Sequence, residues 1–154
     1  MEGMEDTILS LRPEDFPRCG EIWDLTEVPE MAQTFYRDLL SGNRLSYIYV
    51  RGDQWLGEGS LVFHLEDPDY TREGTRLCLS HLIVREEYRR QGIGRKLVEV
   101  LAQRARSLGY RELSVGVDAD NLPALKLYVG AGFRQILSLD TDAYGDYFKL
   151  SRVL

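Results

Sequence analysis

The sequence predicts one mixed α/β layered domain with a parallel crossover inside it. Three observations predict this. Strand-like and helix-like stretches follow one another in the order β, α, α, β, β, β, α, β, α, β, β, which is a single layered arrangement. The stretch Arg76–Val84, "RLCLSHLIV", is nearly all apolar, as a central strand covered on both faces should be. That strand leads through a glycine turn into an amphipathic helix and then a further strand, the pattern of a parallel crossover around the Gly92–Gly94 helix.

The elements are justified in order. Residues 1–6 read as a frayed start. "TILSLRP" (Thr7 to Pro13) alternates enough for a short strand that ends at the proline. From Asp15 to Leu25, the residues Phe16, Cys19, Ile22 and Trp23 fall at helical spacing. Glu30 to Leu40 reads as a second helix, with Met31, Phe35, Leu39 and Leu40 on one stripe and Gly42 as terminator. "LSYIYV" (Leu45 to Val50) is rich in strand formers, Arg51 to Gln54 is a turn, and "WLGEGSLVFHL" returns as the next strand. Glu66 to Thr75 is a polar loop.

After the glycine turn, Leu97, Val98, Leu101, Ala102, Ala105 and Leu108 are spaced as one helix face, and Gly109 stands at its C-terminal end. "RELSVGVD" (Arg111 to Asp118) alternates cleanly, placing Leu113, Val115 and Val117 together. Asn121 is positioned as an N-cap with Pro123 in the tolerant first turn, and that helix ends at Gly130 and Gly132. Two last strands, Arg134 to Leu139 and Tyr147 to Val153, flank "DTDAYGD".

Composition narrows the function. The chain has 154 residues, read as one domain over 1–154, with 44% hydrophobic and 29% charged residues and a formal net charge of −6. Net acidity argues against general nucleic-acid binding. No apolar run approaches the ~20 residues of a membrane helix. The start, "MEGMEDT", lacks the basic and apolar regions of a signal peptide. Cys19 and Cys78 lie far apart with no metal-ligand spacing, so no metal and no disulfide are expected, and a cytoplasmic setting fits best.

Against that acidity, Arg85, Arg89, Arg90, Arg95 and Lys96 gather around Gly92 and Gly94. A strand, then Gly-x-Gly, then a helix is an anion site. Amides of the first helical turn have no intrahelical partner, and the helix dipole makes that end positive. Glycines admit a ligand close to the backbone. A phosphate or pyrophosphate is the natural occupant. A Walker A loop is absent, and the dinucleotide fingerprint lacks its third glycine, since Leu97 stands there.

The stretch Leu79 to Leu97, "LSHLIVREEYRRQGIGRKL", resembles the acetyl-CoA-binding motif of the GNAT superfamily of N-acetyltransferases, an apolar strand followed by R/Q-x-x-G-x-G/A. Here that run is Arg89-Arg90-Gln91-Gly92-Ile93-Gly94, with Tyr88 just before. Downstream, "SVGVDADNLPALKLYVGAGF" (Ser114 to Phe133) resembles the family's next strand and N-x-x-A-x-x-x-Y-x-x-x-G-F, with Asn121, Ala124, Tyr128, Gly132 and Phe133 in place. The resemblance is specific over residues 77–133 and architectural outside them. It implies a mixed, mostly antiparallel central sheet with a splayed parallel strand pair and flanking helices.

It also implies acetyl-CoA as cosubstrate. Backbone groups of Leu82, Ile83 and Val84 would pair with the pantetheine arm. Amides from Arg90 through Gln91, Gly92, Ile93 and Gly94 to Arg95 would cradle the pyrophosphate, flanked by the Arg89 and Arg90 side chains. Asn121 would hydrogen-bond the pantetheine, cap its helix, or do both. Tyr128 matches the family's general acid, a phenol beside the departing sulfur; a half-buried core tyrosine is the plain alternative.

The base stays unassigned. The pocket-facing positions of the Arg76–Val84 strand are read as Cys78 and Ser80, neither a convincing base. His81 falls by alternation on the other side and reads as a packed core residue. Asp118, Glu58 and a water chain remain. The acceptor is a primary amine of a small molecule or peptide, attacked directly in a ternary complex. Asp24, Glu27, Glu30, Asp118, Asp140, Asp142 and Asp146, with Trp23, Tyr36 and Tyr144, would suit a cationic amine, or are simply a solvated acidic surface. Dimerisation is common in the family, and the C-terminal strands could support a homodimer. A non-catalytic acyl-CoA-binding or sensor domain is the competing reading.

Overall fold

Asp6, near the start of the described chain, is tied down by charge. The structure, a computed structural model, describes residues 5–154, so the frayed start expected over 1–6 lies outside the described residues at 1–4. Asp6 corrects the rest of that expectation, because it opens β1 (Asp6–Ser10). Its carboxylate accepts from Arg51 Nε at 2.7 Å and Nη2 at 2.9 Å, and from the Tyr49 hydroxyl. The Arg51 guanidinium, then the Tyr49 hydroxyl, hold this carboxyl well below the usual carboxylate range. β1 pairs antiparallel with β2 (Arg44–Arg51), from Asp6 opposite Arg51 to Ser10 opposite Tyr47.

The first helical stretch is shorter and tighter than its periodicity suggests. It is a 3-10 helix, Pro13–Glu21, rather than a helix reaching Leu25. Pro17 lies inside it, and a proline there removes an amide donor and crowds the preceding turn. α1 (Pro29–Ser41) has proline at its start, where the missing N–H costs nothing. Phe35 and Leu39 are buried as expected, while Met31 and Leu40 are exposed. Ala32 packs against the core, so the buried stripe is 32, 35, 39.

β3 (Gln54–Val62), β4 (Arg76–Val84), α2 (Ile93–Ser107), β5 (Glu112–Asp118) and α3 (Leu122–Gly130) follow, with a short 3-10 turn at Glu86–Tyr88. β6 (Gln135–Asp142) and β7 (Gly145–Val153) close the chain. The segment read as a connection between the last strands is mostly paired: Thr141 faces Asp146, and Asp142 faces Gly145. Asp142 makes the tight reversal by accepting the Tyr144 amide at 2.8 Å.

The sheet order is β1-β2-β3-β4-β5-β7-β6. It is mostly antiparallel, with β4 and β5 as the parallel pair. Their register joins Arg76, Leu77 and Cys78 to Glu112, Leu113 and Ser114, whereas β4 runs on to Val84 and β5 to Asp118.

The chain divides into two compact units, with β3, β4 and α2 contributing to both. The first comprises the residues up to Ser60 together with His81–Leu97. Its larger core gathers Phe16, Cys19, Phe35, Leu39, Ile48 and Trp55. A smaller cluster holds Tyr49, Leu56, Ile93 and Leu97. The second unit takes in Leu61–Ser80 and Val98–Leu154. Its α2 residues Val98, Leu101, Ala102 and Ala105 are buried, as are Leu113, Val115 and Val117 of β5, while Leu108 is exposed. Each fully buried large apolar side chain contributes roughly 1.5–3 kcal/mol relative to exposure.

Candidate functional site

The glycine turn has the backbone of an anion site. Arg90 and Gly92 are both left-handed, with φ of 65° and 82°. Left-handed residues placed so closely in a turn are the signature of anion-binding concavities. The Lys96 amide bonds to the Gly92 carbonyl at 3.0 Å, so the amides of Ile93 and Gly94 precede the helical ladder. Arg89, Arg90, Gln91 and Gly92 are exposed. Arg89 Nε donates to the Val84 carbonyl at 2.9 Å, tying the turn to the end of β4 and occupying one of the groups assigned to the pantetheine arm. Arg51 Nη1 donates to Gln91 Oε1 at 3.2 Å. A polyanion such as the pyrophosphate of acetyl-CoA fits this donor set.

Below the turn, Ile93 and Leu97 fill the apolar cluster beside Tyr49 and Leu56. That explains why a leucine stands where a dinucleotide fingerprint has its third glycine. The close approach is made instead from β3. A side chain at Gly57 would lie 3.1 Å from the Ile83 carbonyl oxygen and 3.4 Å from both Ile93 Cγ2 and Leu97 Cδ1. Leu82, Ile83 and Val84 are half-buried on β4.

The second motif lies in the second unit. Asn121 Oδ1 accepts the Ala124 amide at 3.2 Å, so the side chain caps α3. Tyr128 is buried, its ring 5.6 Å from Phe133 in an edge-on contact. Burial pushes its phenol well above the ordinary tyrosine value, and the Cys78 thiolate would add to the shift. At neutral pH this phenol therefore keeps its proton.

The sequence reading weighed Glu58 and His81 separately and missed that they pair within the first unit. Glu58 on β3 is fully buried, yet its carboxylate is saturated with donors. Ser46 Oγ donates to Oε2 at 2.5 Å and Ser60 Oγ at 2.7 Å. His81 Nδ1 lies 2.6 Å from Oε1. The imidazole is clamped between Trp23, with centroids 4.5 Å apart, and Phe35, at 5.4 Å. His81 is packed, as expected, but strict strand alternation breaks at it. Its φ is 56°, a left-handed conformation that non-glycine residues seldom adopt. The available signal was an ionisable residue in the interior of each of two largely apolar strands, Glu58 in "WLGEGSLV" and His81 in "RLCLSHLIV".

The acidic residues assigned to an acceptor divide into two kinds. Trp23 and Asp24 line an open cleft of about 450 Å³ within residues 20–26 of the first unit, together with Glu21, a residue outside the expected set that is paired with Arg18 at 2.6 Å. Hydrogen bonds from Thr26 hold the Asp24 carboxyl below its ordinary value, so it stays ionised. In the second unit, Asp140 sits 2.9 Å from Lys149 Nζ, beside Asp67 at 2.6 Å and Asp69 at 3.3 Å. Asp146 accepts from the Thr141 hydroxyl, and Asp142 holds its own turn. Those last three carboxylates are engaged in local structure. Cys19 is a buried free thiol, pushed up to about 12 chiefly by burial, with Glu58 contributing.

Comparison with known proteins bears on the family and the fold. Human N-acetyltransferase 8 is 34% identical over 125 residues, covering 74% of this chain and 54% of that protein. The chain spans about half the length of the curated relatives it matches. Among solved structures, the ribosomal-protein-S18-alanine N-acetyltransferase of Escherichia coli superposes with a TM-score of 0.77 at 23% identity, over 97% of this chain and 94% of that one. Arabidopsis thaliana NAA60 in complex with acetyl-CoA gives 0.77 at 21% identity, over 97% and 99%. The family profile described as the acetyltransferase (GNAT) family matches residues 6–133, most of the described chain and both motifs, and the chain belongs to that family.

Proposed function

We propose that this chain moves an acetyl group from acetyl-CoA directly to a primary amine of a small molecule or peptide, in a ternary complex. The observation that carries this reading is the left-handed turn at Arg90 and Gly92, opening α2 beside exposed arginines. Acetyl-CoA supplies an activated acyl group. The chain's own residues hold and orient it: the turn takes the phosphates, and the backbone of Leu82 and Ile83 takes the arm. Asn121 adds a polar contact while capping α3.

Tyr128 serves the departing sulfur. Its raised pKa keeps the phenol protonated, but also makes full proton transfer to a thiolate unfavourable, since a thiol is ordinarily the stronger acid. Its role is therefore to donate a hydrogen bond to the developing thiolate. Asp24 in the open cleft, held ionised beside Trp23, favours an acceptor with a further positive charge.

The test is release of free thiol from acetyl-CoA, measured with purified protein against a panel of cationic, neutral and anionic amines. Amine-dependent release with a preference for cationic acceptors is the expected result. Saturable CoA binding with no release for any amine would leave a non-catalytic acyl-CoA-binding domain. A preference for anionic acceptors would overturn the cationic-acceptor reading alone.

A further inference from the structure

A primary alkyl amine is mostly protonated at neutral pH and has no lone pair to attack with until a proton leaves. We infer that His81 is the general base that takes this proton and that Glu58 is the residue that positions it. The inference rests on the proposed acetyl transfer and names the residue that reading leaves open.

The chemistry follows from the tautomer. An ionised carboxylate only accepts hydrogen bonds. Glu58 already receives two hydroxyl protons on Oε2, so Oε1, 2.6 Å from the ring, receives the Nδ1 proton. Nε2 is then left with its lone pair, as in carboxylate–histidine pairs that act as bases. Glu58 is wholly buried, whereas the His81 side chain is 13% exposed, so solvent reaches the imidazole and not the carboxylate. Nδ1 is the bonded ring nitrogen among the described residues.

Two features go beyond what packing alone requires. Replacing buried charged groups by apolar side chains of similar volume is often neutral or stabilising, so stability alone does not account for burying Glu58 against His81. His81 also holds a left-handed backbone inside a strand, the kind of strain that persists where function needs a side chain aimed off the regular pattern. Trp23 links the imidazole to the open cleft, since it packs on the ring and lines the cleft wall.

The step balances. One proton of the ammonium passes to Nε2 and on to water, the freed nitrogen bonds to the acetyl carbon, the nitrogen's second proton passes to Nε2 as the carbon–sulfur bond breaks, and the thiolate takes a proton from solvent. The imidazolium returns its proton to water.

The experiment compares wild type, His81→Asn, His81→Ala and Glu58→Gln with two acceptors: a basic alkyl amine and an arylamine already neutral at the assay pH. Asparagine keeps a donor toward Glu58 and removes Nε2. A general base contributes ~10²–10⁴-fold, so kcat/KM of His81→Asn should fall by at least ~10² for the alkyl amine and by far less for the arylamine. Added imidazole should restore part of the alkyl-amine rate in His81→Ala, and Glu58→Gln should show a smaller loss with the same dependence on the amine. The alkyl-to-aryl ratio does not depend on the folded fraction, so partial unfolding of a variant leaves the test intact. Equal losses for both amines, or a kcat/KM for His81→Asn within about threefold of wild type, would overturn the assignment while the transferase reading stands. No thiol release by wild type with either amine would overturn both.

Discussion

Gly57→Ala couples the packing of β3 to the ligand turn, and its effect can be worked from contacts. The new methyl would meet the Ile83 carbonyl oxygen at 3.1 Å and two side-chain carbons, of Ile93 and Leu97, at 3.4 Å. The oxygen belongs to backbone and cannot swing away, so β3 and β4 must part by a few tenths of an ångström. Overpacking of this kind costs about 1–3 kcal/mol, and with a single tight backbone contact the lower half of that range, about 1–2 kcal/mol, applies. For a chain of this length each kcal/mol lowers Tm by about 2–4 °C, so a drop of about 2–8 °C is expected. Ile83 is assigned to the pantetheine arm and Ile93 opens α2, so the Kd for CoA should also rise several-fold. Gly20→Ala is the control, because its methyl would meet only the Leu25 side chain, at 3.9 Å and beyond. Scanning calorimetry and CoA titration read both effects. A Gly57→Ala protein that melts with wild type and Gly20→Ala, at unchanged CoA affinity, would refute the argument.

Three other outcomes are expected. Tyr128→Phe should lower kcat by about 10²-fold with CoA affinity unchanged in isothermal titration, as loss of a transition-state hydrogen bond requires. Asn121→Ala should lose an N-cap worth about 1 kcal/mol and also weaken CoA; a fall in Tm without weaker CoA binding would reduce Asn121 to a cap. Lys149 contributes a pH window. Its pKa is raised, chiefly by Asp67, so its stabilisation is present below the ordinary lysine value and lost as pH rises through the raised one. Asp67 and Asp140 are depressed, chiefly by Lys149, so theirs is present above the ordinary carboxylate value and lost as pH falls through the depressed ones. Tm should thus be flat between about pH 5 and 9 in this contribution, and Lys149→Met should soften the acid limb of a Tm-versus-pH curve.

What was legible in the sequence is what repeats. β4, α2 and β5 are strongly patterned, and β4 lies at its expected residues, Arg76 to Val84. The glycine turn was legible because its chemistry is local: a left-handed glycine, a helix mouth and neighbouring arginines are consecutive in the chain. The Asn121 cap is local in the same way. Features carried by one residue acting against the pattern were lost. Pro17 tightens a helical repeat into a 3-10 helix, and the Asp142 turn pulls an apparent loop into a hairpin. The pairing of Asp6 with Arg51 spans 45 residues and leaves no periodic trace. His81 is the sharpest case. Alternation assigns its side chain from its parity, and one left-handed φ voids that assignment from that residue onward. Its contact with Glu58 then depends on the register of two strands 23 residues apart.

Arg90 poses the same kind of question at the other end of the argument. It holds φ at 65° where glycine would be comfortable, and its side chain is exposed, so no packing requires it. A left-handed non-glycine residue costs about 1–2 kcal/mol, and the extra chain entropy of glycine gives back about 0.5–1 kcal/mol. Arg90→Gly should therefore leave Tm unchanged or raise it by up to about 6 °C. The same change removes a cation beside the phosphate turn. The Kd for CoA should rise by about two- to fivefold near 0.1 M salt, and by more at low salt, where an exposed charge is less screened. Opposite signs in the two measurements are the point: a residue that strains the fold is retained where its charge serves the ligand. If Arg90→Gly lowered Tm and bound CoA like wild type, the arginine would be a structural residue of the turn, and the anion site would rest on backbone amides and Arg89 alone.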